Sequence, residues 1–238
     1  MAGTAIVLGV GESQGLGAAL CRRFAREGLH VFLGGRTQSR LEAVAREIES
    51  AGGAATVVVS DATRAGDVVR LFDAADSPPE LVVYNAGNNR FRPLLDMDDA
   101  FFEDLWRLCC FGGFLTGREA ARRMLPAGGT LIFTGATASI RARPPFTAFA
   151  SAKAALRALA HGMAREFGPQ GLHVGHVIID GGIDGAQLNQ RFPQFKESRG
   201  EDGMLGIEAI ADAYWVLHTQ QRSAWTLELD LRPFKETF

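Results

Sequence analysis

Apolar residues along this 238-residue chain gather in short unbroken runs, separated by longer segments where they recur every three or four positions. The runs are TAIVLGV (4–10), HVFLGG (30–35), ATVVVS (55–60), LVVYNA (81–86), TLIFTG (130–135) and LHVGHVIID (172–180). They are continuous rather than alternating, as expected for parallel strands covered on both faces. The segments between them read as helices. LGAALCRRFAREG ends on Gly28, a C-terminal cap. TQSRLEAVAREIESAGG begins on a Thr or Ser cap and stops at glycines. Two longer helices are predicted at roughly 98–124 and 148–167, and a last one near 207–219 leads into SAWTLELDL, a seventh strand.

Strand–helix alternation from end to end predicts an α/β fold: one doubly wound parallel sheet with helices on both faces. Right-handed crossovers and a reversal after the first strand give the strand order 3-2-1-4-5-6-7. With no repeat, low-complexity tract or linker, residues 1–238 are expected to form one domain. Residues 181–206 break the rhythm: they are glycine-rich, polar and weakly periodic. A connection this long, after a strand's carboxyl end, is expected to be a mobile lid over a ligand site. The alternative is a floppy insertion.

Composition narrows the classes. Hydrophobic residues at 47% and charged residues at 22% are ordinary for a soluble globular protein. A net charge of −2 gives no bulk basic field for nucleic acid or anionic membrane. No run of about 18 apolar residues occurs, so no membrane span is expected. The opening MAGTAIVLGVGESQG lacks the cationic start of a signal peptide, and the cytoplasm is the expected compartment. Cys21, Cys109 and Cys110 have no metal-ligand spacing, and no metal is expected.

Two stretches carry candidate binding chemistry. VLGVGESQGLGAAL places Gly9, Gly11, Gly15 and Gly17 between the first strand and first helix. Such a turn lets backbone approach a phosphate at the helix N-terminus. The second strand then ends on Gly35, where NAD-binding folds often carry an acid for the ribose, with Arg36 next and Arg40 a turn later. An acid would repel a 2′-phosphate and an arginine fork would pair with it, so NADP is favoured over NAD.

With these residues placed, the whole chain resembles the short-chain dehydrogenase/reductase family. Gly11-x-x-x-Gly15-x-Gly17 matches its cofactor loop, Asp61 its adenine-contacting aspartate, and YNAG (84–87) its Asn-Asn-Ala-Gly turn, with Tyr84 for the first Asn. Lys153 matches the lysine of its Tyr-x-x-x-Lys signature. The resemblance implies a Rossmann-type sheet and a cofactor held by Gly11, Ser13, Gly15, Leu16, Gly17, Arg36, Asp61, Ala62, Asn85, Ala86, Gly87, Lys153, Gly181 and Ile183. It also implies a small-molecule substrate and a homodimer or homotetramer. The alanine-rich helix from 148 to 160 supports the last point, because small residues line more than one of its faces.

The resemblance departs at the chemistry. Phe149 stands at the tyrosine position, Ala136 at the serine, Cys109 at the helix asparagine, and Asp180-Gly181 at a Pro-Gly. Lys153 thereby loses its role of lowering a tyrosine pKa and keeps that of hydrogen-bonding the nicotinamide ribose. Candidate substitutes are Thr137, Ser139, Asn88 and Asn89, and two aspartates, Asp180 and Asp184, which could donate a proton only if burial raised their pKa. His161 and His176 read as packed residues. Three readings remain: an NADP-dependent oxidoreductase with altered proton delivery, acting on an imine or an activated C=C or C=O; an NADPH-binding pseudoenzyme serving as sensor or interaction partner; and a methyltransferase. Gly35-Arg36, YNAG and Lys153 disfavour the third.

Overall fold

The computed structural model describes residues 2–236. All the predicted runs form strands, joined by a late seventh, in one parallel sheet: β1 (Thr4–Leu8), β2 (His30–Gly35), β3 (Ala54–Val59), β4 (Leu81–Tyr84), β5 (Gly129–Thr134), β6 (Leu172–Ile179) and β7 (Glu228–Leu231). Their order is β3-β2-β1-β4-β5-β6-β7, and every pairing is parallel. The chain therefore winds outward in both directions from β1, and a crevice opens at the carboxyl ends of β1 and β4.

Helices cover both faces. α1 (Leu16–Arg26), α2 (Gln38–Ser50) and α9 (Ile207–His218) bury Leu20, Phe24, Leu41 and Tyr214 against one face. α3 (Ala65–Asp73), α5 (Gly112–Met124) and α6 (Thr147–Phe167) bury Leu71, Leu115 and Leu156 against the other. Each such fully buried side chain contributes about 1.5–3 kcal/mol. Between the third and fourth strands, where the sequence pattern marks no helix, stands α3, with Val68, Leu71 and Phe72 buried at helical spacing. The seventh strand is shorter than expected, because residues 222–224 turn before it.

The long helix predicted at 98–124 is α4 (Asp99–Trp106) followed by α5, with a π turn at Arg107–Phe111 between them. Asp98 caps α4 by accepting the Phe101 N–H at 2.7 Å. The buried Tyr84 hydroxyl donates to the carbonyl of Leu108 inside the π turn. Tyr84 thus anchors the segment that carries Cys109.

Residues 181–206 hold more structure than their weak periodicity suggested. Ile183–Asp184 pairs in parallel with Leu205–Gly206, and α7 (Ala186–Arg191) and α8 (Pro193–Arg199) fill the span between. No helix among the described residues is long and apolar enough to cross a membrane.

Candidate active site

The crevice begins at Gly9, which follows β1 with φ +105°; a Cβ there would stand 2.4 Å from the Ala86 nitrogen. Only glycine lets the first loop lie this close to the turn after β4. Asn85 fastens the two: its side-chain nitrogen donates to the Gly9 carbonyl at 3.1 Å, and its side-chain oxygen accepts from the Thr134 hydroxyl at 3.1 Å. Gly11 faces open space, and Gly15 is the N-cap of α1 with no side chain over the helix end. The N-terminal N–H groups of α1, including those of Leu16 and Gly17, therefore lie at a loop that an anion can approach.

Ser13 and Glu12 are turned elsewhere. The Ser13 hydroxyl donates to Glu47 at 2.6 Å, and Glu12 pairs with Arg40 at 2.7 Å. Gly35 ends β2 where a Cβ would be 2.3 Å from the Val10 carbonyl oxygen, so no side chain fits. Arg36 is exposed and has no ion-pair partner among the described residues, unlike Arg40. Asp61 accepts the N–H and hydroxyl of Thr63 at 2.9 and 2.8 Å and so shapes the turn after β3, beside the buried Ala62.

Lys153 is 4% exposed, and its Nζ donates to the Thr134 carbonyl at 2.8 Å. Its remaining N–H groups have no acceptor among the described residues. Burial pushes its pKa down. A Cβ on Gly87 would lie 3.2 Å from this Nζ and 3.9 Å from the Cys109 sulfur, so lysine, glycine and cysteine meet at one point. One turn earlier on α6, the Phe149 ring centroid is 5.8 Å from Nζ. Lys153, Phe149, Cys109 and Gly87 thus lie together at the edge of the crevice.

Among the substitute donors Thr137 and Ser139 are engaged, whereas the buried Asn88 side-chain oxygen has no hydrogen-bond partner among the described residues. Ser139 donates to the Ala136 carbonyl at 2.6 Å, and Thr137 donates to Asp180 at 2.6 Å. Asp180, 1% exposed, also accepts both of its Arg141 contacts at 3.0 Å and pairs with Arg232 at 3.2 Å. A carboxylate held by two guanidiniums and a hydroxyl is an anchor for the loop, and its oxygens are already engaged by those partners. Asp184 accepts from Lys196 and Asn189, which hold its pKa below the usual carboxylate value, opposite to what an acid role requires. Gly181 has φ +142° and packs against Pro233, and Ile183 lies in the short strand pair.

Two groupings were not anticipated. Glu228 accepts from Arg157 at 2.6 and 2.8 Å and contacts His161 and His176 at 3.0 and 3.1 Å, so both histidines belong to one polar cluster behind α6. The spacing of Lys153, Arg157 and His161 on α6 carries that signal. Separately, the Phe91 and Phe146 rings meet at 5.2 Å, and Arg191 stacks over Phe91 and Phe192. These contacts join three loops and have no local sequence signature.

A glycine-lined first turn, Asn85 bridging the strand ends and a buried lysine thus surround one crevice. Residues 5–196 match the family model of the short chain dehydrogenase. The chain belongs to the short-chain dehydrogenase family. It is 33% identical over 181 residues to the cyclic-di-GMP-binding biofilm dispersal mediator protein of Escherichia coli K12, covering 75% of this chain and 73% of that one. A short-chain dehydrogenase from Rhodopseudomonas palustris superposes with a TM-score of 0.83 at 39% identity, over 98% of this chain and 99% of the other. A metagenomic short-chain oxidoreductase in complex with NADP gives a TM-score of 0.82 at 25% identity, over 98% of both chains.

The site fits a nicotinamide cofactor on its own chemistry. Buried Lys153 N–H groups seek acceptors, and the open loop at α1 offers donors to phosphate.

Proposed function

We propose that this chain is an NADP-dependent oxidoreductase with altered proton delivery, from a divergent subgroup of its family that carries Phe149 in place of tyrosine. The observation that carries the reading is Lys153, buried with N–H groups left over, one turn from a ring that cannot ionise. Desolvating an amine is costly without acceptors, and ribose hydroxyls supply them.

In this reading Gly11, Ser13, Gly15, Leu16 and Gly17 cradle the pyrophosphate with backbone. Arg36 takes the 2′-phosphate, which favours NADP over NAD, and Asp61 with Ala62 borders the adenine. Asn85, Ala86 and Gly87 form the floor, and Gly181 and Ile183 flank the nicotinamide. NADPH supplies a hydride when bound, and an iminium substrate, already positive, needs no proton donor to accept it. Phe149 keeps an apolar surface at the reacting face. Ala136 offers no hydroxyl to a substrate oxygen, and Cys109 replaces an amide with a thiol. A plain ketone, which needs its developing alkoxide protonated, is therefore a poor substrate, whereas an imine or activated C=C or C=O is a good one.

Residues 1–238 act as one domain, and 181–206 serves as a lid, fastened to the phosphate loop by the Ala186 N–H donating to the Gln14 carbonyl at 2.7 Å. A homodimer or homotetramer forms through α5 and α6. Exposed Ala154 and Ala158 on α6, with exposed Phe102, Trp106 and Phe114 on α4 and α5, supply a surface for it. The compartment is the cytoplasm.

Steady-state oxidation of NADPH with a panel of iminium ions, enones and simple ketones tests the reading, beside calorimetric binding of NADPH. Turnover of activated substrates with slow ketone reduction is expected. Tight NADPH binding with no turnover across the panel would sink it.

A further inference from the structure

The crevice is walled by loops from β4, β5 and β6, and they meet through one stack. Phe91, on the loop after β4, packs on Phe146 at the start of α6 with ring centroids 5.2 Å apart. The same two loops are joined by the Arg92 N–H donating to the Pro145 carbonyl at 3.2 Å. Arg191, the last residue of α7, lies over Phe91 at 5.8 Å and over Phe192 at 5.1 Å. The other end of α7 touches the phosphate loop at Gln14. The helix therefore spans the mouth from the cofactor loop to the β4 loop, and Arg191 stands at the end away from the cofactor loop.

Charge at this mouth is unevenly spent. Arg92 is paired with Asp98 at 2.8 Å, Arg90 approaches Asp104 at 4.0 Å, and Arg141 is bound to Asp180. Arg191 has no carboxylate partner among the described residues. Asp184, on the same segment, is taken by Lys196 and Asn189. A guanidinium stacked on aromatic faces is held in plane and keeps its N–H edge for a planar anion. Beside it Phe91 and Phe192 remain 43% and 38% exposed, which leaves ring surface for an apolar body.

We propose that the substrate is a carbonyl or imine compound that carries a carboxylate and an aromatic body, with Arg191 binding the carboxylate and Phe91 and Phe192 the ring. The assignment rests on the oxidoreductase reading for the reaction but not for the binding preference.

Calorimetric titration of the NADP⁺-loaded and cofactor-free protein with benzoylformate, its methyl ester and pyruvate tests it. Benzoylformate should bind about tenfold to a hundredfold more tightly than the ester, the range for a charge-assisted contact. It should also outbind pyruvate, which lacks the ring. Arg191→Gln should erase the preference for the acid over the ester, Arg191→Lys should retain part of it, and Phe91→Leu should reduce the preference over pyruvate. Arg191 is on the surface, and a thermal melt checks that each variant folds. Equal affinity for acid and ester, or binding of neither, overturns the proposal. An acid preference in a protein that never consumes NADPH would sustain it and sink the oxidoreductase reading. Turnover of neutral imines without an acid preference would do the reverse.

Discussion

The two sides of the crevice are built from different materials. On the β1–β2 side the surface is mainly backbone: Gly9 pressed on Ala86, Gly11 open, Gly15 heading α1, Gly35 pressed on Val10. On the β5–β6 side it is side chain: Phe149, Ala136, Cys109 and Lys153 at the centre, with Asp180 locked behind them. Backbone geometry constrains residues by excluded volume, so family motifs survive there. Side-chain chemistry can be replaced residue by residue while the sheet beneath stays intact. The first side therefore fits cofactor binding, and the second is the half on which the proposed proton delivery rests.

The largest test acts on the side-chain half. Phe149→Tyr alone should add little ketone reduction, because Ala136 and Cys109 still supply no hydroxyl or amide. The triple change Phe149→Tyr, Ala136→Ser, Cys109→Asn should raise ketone kcat/KM by about 10²–10⁴, well beyond the sum of the single changes. Steady-state kinetics of all seven variants reads this out. Additive gains would show that these positions do not act as a unit.

Next comes the backbone half. Gly9→Ala forces a side chain into φ +105° and against the Ala86 nitrogen. Strain and overpacking should cost on the order of 3 kcal/mol, read as a lower urea midpoint. A neutral result would remove the claim that this side is fixed by volume.

Arg36→Ala should weaken NADPH binding by about tenfold to a hundredfold and leave NADH nearly unchanged, because only NADPH carries the extra phosphate. Equal losses in calorimetry would mean Arg36 does not discriminate.

The smallest effect concerns acid. Burial pushes His176 down from 6.5 to about 4, and Arg157 first among its partners holds Glu228 down at about 2. Both groups bind protons more readily in the unfolded chain. Stability should fall as pH drops from about 6.5 to 4 through His176, and again from about 4.5 to 2 through Glu228. The histidine step should be on the order of 1–3 kcal/mol. His176→Gln should flatten the upper step in denaturation curves taken across this range. An unchanged slope would place the sensitivity elsewhere.

Legibility in the sequence followed the same division. Six apolar runs and the glycine spacings were readable because strands and tight turns are local patterns, and they led directly to the sheet order and the cofactor loop. α3 is hard to read from the sequence although Val68, Leu71 and Phe72 carry its spacing, since the stretch is short and flanked by turns. The π turn was hidden because nothing in RLCCF distinguishes it from α-helix; its anchor, Tyr84, lies 24 residues away from the Leu108 carbonyl it binds. Ion pairs such as Arg141–Asp180, and the Arg191–Phe91–Phe146 stack, join residues 39 to 100 positions apart, where no periodicity reaches. Phe149, Ala136 and Cys109 could be placed by motif spacing, but the contacts that tie Thr137 and Arg141 to Asp180 join residues far apart in the chain.

Gly35 also bears on how this protein can change. The shortest mutational path to an acid at the end of β2 is a single base change in the Gly35 codon, which gives aspartate or glutamate. At Gly35 that path is blocked, since the new Cβ would collide with the Val10 carbonyl and displace the phosphate loop with it. Change at this strand end is open instead at the neighbouring position, Arg36, where the side chain is already free in solvent. Laboratory evolution toward NADH should accordingly collect its first substitutions at 36 and leave 35 untouched.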